Sequence, residues 1–224
     1  MDVKSSFKMT DMDKKNIALV SLILAFAAGF CDAATFTAAE ELFSAHVTGN
    51  FVVFAYDLIR GAETQSWLKL LSFPVFTLAV VSAGWYAPRL KSGYTLLFVE
   101  GVILLVAGAF DLALDRPGTI WAATLPYVVV LAMGIQNAFG RLYATAAYAP
   151  TTMMTGNVTQ LTLDVAKILM PGVWNSDKRP AFGKQFIIIG GFLVGCVAGA
   201  FLAAHFGLWT IALPGLLLLF ISFI

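Results

Sequence analysis

The chain has 224 residues, of which 59% are hydrophobic and 12% charged, with a formal net charge of +1; soluble domains usually carry about 25% charged residues. A water-soluble fold of this size cannot hide so much apolar surface, so a lone soluble domain is excluded, and a mean hydropathy of +0.84 makes lipid the principal solvent. The near-neutral balance leaves no electrostatic footprint for nucleic acid.

Residues 1–16 form a polar tail with Lys4, Lys8, Lys14 and Lys15. The apolar run from Ile17 to Ala39 is too long for a signal-peptide core and reads as a retained first span. Within it stand Cys31, a small core residue, and Asp32 in the stretch Gly29-Phe-Cys-Asp32-Ala33. A carboxylate inside a span costs roughly 2.5–3.5 kcal/mol on insertion scales and normally faces a partner, a cavity or a proton path. Asp32 is therefore either a coupling site or a buried cap that accepts hydrogen bonds from the re-entering chain.

Leu42 to Ile59 is apolar but interrupted by His46, Thr48-Gly49-Asn50 and Asp57, with Arg60 following. A helix from Thr48 to Arg60 rises about 20 Å, short of the roughly 30 Å hydrocarbon core, so it is predicted to be a re-entrant half-helix. His46 titrates near physiological pH and reads either as a proton site or as a polar loop residue; Ser44 beside it makes a weak nucleophile dyad. Further spans are predicted at Trp67 to Ala87 and Tyr94 to Leu114, the latter carrying Glu100 among Leu, Phe, Val and Ile. Glu100 is a second intramembrane acid, serving either a solute path or a hydrogen bond to a neighbouring helix.

The second half repeats the first. Ile120 to Gly140 is a span containing Gly134-Ile-Gln-Asn137-Ala138, followed by Arg141, an interfacial residue or a substrate clamp. Thr151 to Met170 contains Thr155-Gly156-Asn157 and Asp164 with Lys167; Phe186 to Phe206 and Leu208 to Ile224 are the last spans. The pattern TGN-x6-D-x2-[RK] thus occurs twice, at Thr48 and Thr155, and Glu100-Gly101 aligns with Pro214-Gly215. In this alignment Asp32 pairs with Asn137 and His46 with Met153. His205 is interfacial, and Gly190, Gly191, Gly195 and Gly199 offer a packing face for a homodimer or for a helix of the same chain.

These elements predict an all-α polytopic membrane protein: a tail at 1–16, a first membrane repeat at 17–118 and a second at 119–224. Six transmembrane helices plus two TGN re-entrant half-helices would form two inverted repeats; eight spans would form two parallel repeats. Six spans place the tail, Arg89, Lys91, Arg141, Lys167, Lys178, Arg179 and Lys184 inside and Arg60, Lys69 and Arg116 outside, 11 basic residues against 3. Eight spans move Arg89, Lys91 and Arg141 outside and give the same ratio, so the basic residues fix both termini inside without choosing between the two.

In the half-helices, Thr48 and Thr155 are expected to act as N-caps, Gly49 and Gly156 to admit a neighbouring backbone, and Asn50 and Asn157 to supply amides. The two TGN starts either meet near the midplane and line a solute path or are packing and capping devices. Asp57 with Arg60 and Asp164 with Lys167 have the i, i+3 spacing of local ion pairs.

At Gly29 to Asp32, Thr48 to Asn50 and Thr155 to Asn157 the sequence resembles the YoaK-like family of bacterial inner-membrane proteins, a domain of unknown function. The resemblance covers nearly the whole chain. Where that family often has Asn-Met before the first TGN, this chain has His46-Val47. The resemblance implies about six spans and transport of small molecules, with no established substrate or catalytic residues.

The expected function is a small-solute transporter or channel of the bacterial inner membrane, possible in proton-coupled form, with Asp32, Glu100, Asn50 and Asn157 on its path. The alternative is a membrane protein that binds a partner or lipid without transport. No catalytic, cofactor or metal site is expected: GxxxxGK[ST], HExxH and GxSxG are all missing from the sequence. The expected partners are the lipid bilayer, an unidentified small solute and a second copy of the chain, with no nucleic acid.

Overall fold

A computed structural model describes residues 14–61, 64–114, 120–144, 147, 151–152, 154–170 and 182–223. Lys4, Lys8, Arg116, Met153, Lys178 and Arg179, and the expected boundary between 118 and 119, lie outside the described residues. Every described element is helical, as lipid requires of a chain whose backbone groups must bond within their own segment. In chain order these are α1 (Lys14–Ala38), α2 (Gly49–Ile59), α3 (Ser72–Tyr86), α4 (Tyr94–Leu114), α5 (Ile120–Leu142), α6 (Met154–Leu169), α7 (Phe182–Phe206) and α8 (Ala212–Ser222). 3-10 segments at Thr64–Leu71, Ala87–Arg89 and Leu208–Ile211 flank α3 and precede α8.

Among the described residues five stretches are long and apolar enough to cross a membrane: Ile17–Ala38, Ser66–Arg89, Tyr94–Ala113, Ile120–Leu142 and Phe182–Phe206. The sixth expected span, Leu208 to Ile224, is instead a short apolar helix over Leu208–Ser222. Gly207 (φ +88°) breaks it from α7. Proline explains its uneven start. Pro214 stands third in α8 and lacks the N–H that would reach back to Thr210, and the turn before it is 3-10. Pro74 does the same to Leu70 at the start of α3, behind the 3-10 segment Thr64–Leu71.

α1 lies on α7, α3 on α5, α4 on both α8 and α5, and α1 also touches α8 and α5. The direction of each pair follows from its contacts. Gly191, Gly195 and Gly199 of α7 meet Leu22, Phe26 and Phe30 of α1 in ascending order, so these helices are parallel. Backbone approach here needs glycine, since a Cβ on Gly195 would stand 2.2 Å from the Phe26 carbonyl oxygen. This glycine face is therefore spent within the chain; Gly190 alone of the four faces open space.

α3 and α5 are also parallel, with Tyr127 Oη donating to the Leu68 carbonyl at 2.8 Å, Gly134 against Ala79, and Tyr143 Oη donating to the Ala87 carbonyl at 3.4 Å. α4 and α8 run in opposite directions: Gly108 meets Trp209 and Ala212, Gly101 meets Gly215, and Phe98 meets Phe223. α4 and α5 are antiparallel too, through Gly93 with Tyr143, Tyr94 with Phe139 and Phe110 with Trp121. Helices α1, α5, α4 and α8 thus close a four-membered ring around Phe30, Leu97, Leu104, Met133 and Leu218, all buried.

Candidate functional site

Asp32 lies on α1, two turns before its end, and is buried. Past α1 the chain reverses through Glu40 and Glu41, both at positive φ (51° and 60°), and returns along the same helix. The return brings residues 43–48 to the Asp32 carboxylate. Its Oδ1 accepts the Ala45 N–H at 2.6 Å and the His46 N–H at 3.2 Å, and its Oδ2 bonds His46 Nδ1. The His46 ring meets Phe192 of α7 edge-on at 5.6 Å. The bond to the Asp32 carboxylate raises the His46 imidazole above its ordinary value, against burial, which pulls it down.

Asp32 therefore has the partner expected of it, in a form the sequence reading missed. The bonded N–H groups belong to the loop, and the partner ring is His46, which the sequence left as a polar loop residue or an isolated proton site. The Ser44 dyad does not form: His46 Nδ1 faces Asp32, and Ser44 Oγ is buried without a hydrogen-bond partner. Asn137, which the sequence alignment sets against Asp32, donates through Nδ2 to Thr152 Oγ1 at 2.7 Å.

Beside the Asp32–His46 contact is an open pocket of about 660 Å³ lined by α1, the loop, the start of α2 and α7. Phe36, Phe43, Phe192, Val197 and Ala200 make it apolar almost throughout, Asp32 and His46 give it a small polar edge, and Cys196 also lines it. Gly49 borders the cavity, and a Cβ there would stand 3.0 Å from the Phe43 ring.

The TGN residues take different positions from those expected. Thr48 occupies the N-cap of α2, but its backbone is α-helical (φ −69°, ψ −21°) and its hydroxyl makes no capping bond. A side-chain cap needs an extended residue. Here a tight turn supplies the acceptors instead, with the Gly49, Asn50 and Phe51 N–H groups donating to the carbonyls of His46, Val47 and Thr48. Asn50 is buried and acts as a latch: its Oδ1 accepts the Phe43 N–H, and its Nδ2 donates to the Phe43 carbonyl and to Ser72 Oγ, at 2.8, 2.8 and 2.9 Å.

In the second TGN, α6 starts at Met154, so Thr155 lies inside the helix and not at its cap. Gly156 meets nothing within 4 Å of a built Cβ and admits no close neighbour. Thr155 is exposed and Asn157 buried. α2 and α6 rest on separate supports, α2 on the 3-10 segment Thr64–Leu71 and α6 on α7. A second cavity of about 480 Å³ lies along Thr155, Thr159 and Thr162 of α6.

Asp57 pairs with Lys69 at 2.6 Å and not with Arg60, which instead lies over the Tyr56 ring at 4.7 Å. Lys69 wins because it is buried beside Asp57, while Arg60 is exposed past the helix end. Asp164 keeps its expected partner Lys167 at 2.9 Å and also accepts from Gln160 Nε2 at 2.9 Å. Arg141 is exposed at the end of α5. His205 is exposed, with its Nδ1 facing the Phe201 carbonyl at 2.8 Å.

Glu100 is fully buried on α4, away from these groups' hydrogen bonds. Gln136, one residue before Asn137, ties α5 to α1 by donating to the Leu24 carbonyl at 2.8 Å. Its place inside the repeated motif was the available signal for that role.

A family model described as a protein of unknown function (DUF1275) matches residues 20–224, in keeping with the YoaK-like resemblance. No curated protein and no solved structure matches the chain.

Proposed function

Since the chain belongs to the DUF1275 family of proteins of unknown function, whose name assigns no activity, we propose from the site itself that it is a small-solute transporter of the bacterial inner membrane. Its solute site is the open pocket beside the α1–α7 contact. The observation that carries this reading is an apolar cavity of about 660 Å³ with the Asp32–His46 pair on its wall, a size within the usual range for small-molecule sites. Apolar walls with one acid and one imidazole suit a small, mainly apolar solute with a single basic or hydrogen-bonding end.

The reading goes with six membrane crossings, inverted halves and cytoplasmic termini. Under the sequence alignment of the repeats, α1 on α7 exchanges with α5 on α3, both parallel, and α4 and α8 exchange with each other. Repeat mates that meet antiparallel, as Gly101 and Gly215 do, favour an exchange axis in the membrane plane. In an eight-span arrangement α4 and α8 would cross in the same direction.

The test is flux into liposomes containing the purified protein, with a panel of such solutes and an imposed pH gradient. Ala200→Phe, which fills the cavity, is expected to cut uptake at least tenfold with the fold retained, and Asp32→Asn to remove the response to the gradient. Folded protein that moves no solute, or that moves it equally well with the cavity filled, would overturn the reading in favour of a non-transporting membrane protein that binds a partner or lipid.

A further inference from the structure

Glu100 stands apart from the cavity and from every bond described above. It is 0% exposed, and among the described residues neither carboxyl oxygen has a hydrogen-bond partner. Its place is the interior of the four-helix ring: Gly101 beside it meets Gly215 of α8, the α4–α5 contacts put it level with Met133 and Gln136, and Cys31 of α1 lies within electrostatic reach.

Among the described residues neither a cation nor an N–H donor stabilises its carboxyl oxygens. An isolated buried charge is far more costly than a neutral acid, and the group resolves the cost by taking up a proton. No cation is at hand among the described residues. α1 presents Cys31 and Asp32 as its nearby titratable groups, Asp32 being engaged with His46; residues 208–223 of the 3-10 turn and α8 contain no ionisable side chain. α5 carries Tyr127 and Arg141, of which Arg141 is exposed at the far end of its helix. The ordinary structural reason for an intramembrane acid, a hydrogen bond to a neighbouring helix, is missing among the described residues.

We propose that Glu100 is a proton-binding site, loaded and occluded in this conformation and open to water only when the ring of α1, α5, α4 and α8 parts. The ligand is a proton, held on the carboxyl oxygen. The symmetry of the repeats points the same way: the matching position is Pro214, so the acid is an addition to one half and not part of the shared scaffold. This inference does not depend on the solute cavity, and it holds or fails whether or not any solute crosses.

Infrared spectroscopy of the full-length protein at pH 8 tests it. At that pH a carboxyl with the ordinary value of about 4.3 is protonated in about one molecule in five thousand. A protonated-carboxyl C=O band is expected in the wild type at close to one group per chain and is expected to vanish in Glu100→Gln. If Glu100→Gln does not fold, dicyclohexylcarbodiimide, which attacks protonated acids in apolar surroundings, assigns the band in wild-type protein through an adduct mapped to Glu100 by mass spectrometry. Labelling at Glu100 should then change less than threefold between pH 6 and 8, against the roughly hundredfold fall of an ordinary acid. Absence of the band in folded wild-type protein, its persistence in folded Glu100→Gln, or a hundredfold fall in labelling would overturn the proposal.

Discussion

Asn50 carries more of the local structure than its length suggests. With both ends of its amide on the Phe43 backbone and one on Ser72, it holds the loop, α2 and α3 together from one buried point. Asn50→Ala should leave the Phe43 N–H and carbonyl without partners and lower stability by about 2–4 kcal/mol, read as a fall in melting temperature in detergent. An unchanged melting temperature would mean that the latch contributes nothing. His46 supplies a pH test whose sign is fixed by its raised value. The Asp32–His46 bond adds stability fully below about pH 6.5, the unfolded value, and loses it as pH rises through the higher folded value. The melting-temperature gap between wild type and His46→Ala should therefore be widest near pH 6 and narrow toward pH 8.5; a gap that widens with pH would contradict the assignment. Asp32 was legible in the sequence because an acid in an apolar run needs a partner. The identity of that partner was not, since residues 14 apart meet only through the backward turn at Glu40 and Glu41.

Among the elements, the parallel contact of α1 and α7 depends on glycine at the points where one backbone meets the other. Gly195→Ala would drive a methyl group into the Phe26 carbonyl, 2.2 Å away, and should cost about 1–3 kcal/mol through helix separation. Gly190→Ala points into open space and should be neutral or stabilise the helix by up to about 1 kcal/mol. Thermal unfolding of the two variants side by side checks the contrast. The long helices were legible because an apolar run of span length has few alternatives in lipid. The starts of α2 and α6 were not: a TGN triplet looks like a cap in sequence, but Thr48 is already helical and the backbone turn before it supplies the acceptors. The ion pair of Asp57 was misread for a related reason. Spacing along one helix offered Arg60, whereas folding brought Lys69 from the next segment into a buried position.

For the whole molecule the sharpest question is how often the chain crosses the bilayer. In a background lacking Cys196, Arg60→Cys should react with an impermeant thiol reagent from outside the cell and Arg89→Cys only after the membrane is opened. The reverse pattern would establish eight crossings. Both side chains are exposed, so reactivity reports sidedness and not burial. The doubled TGN pattern was legible, and two of the positions it aligns, Gly101 and Gly215, are in contact. Which helix packs on which was hidden, because a repeat states similarity between segments and says nothing about whether they meet.

The pairings of α1 with α7, α3 with α5 and α4 with α8 each join one half of the chain to the other, and this bears on how the protein is made. A nascent chain that has delivered its first four helices to the bilayer still lacks the principal helix partners of α1, α3 and α4. Glu100 must then wait in lipid, or beside the insertion machinery, until α5 and α8 emerge, whereas Asp32 already has Ala45 and His46 of its own half. The notched face of α7 is among the last pieces synthesised and receives the first helix inserted, so assembly closes only near the end of translation. Separately expressed halves should accordingly be degraded alone and survive together.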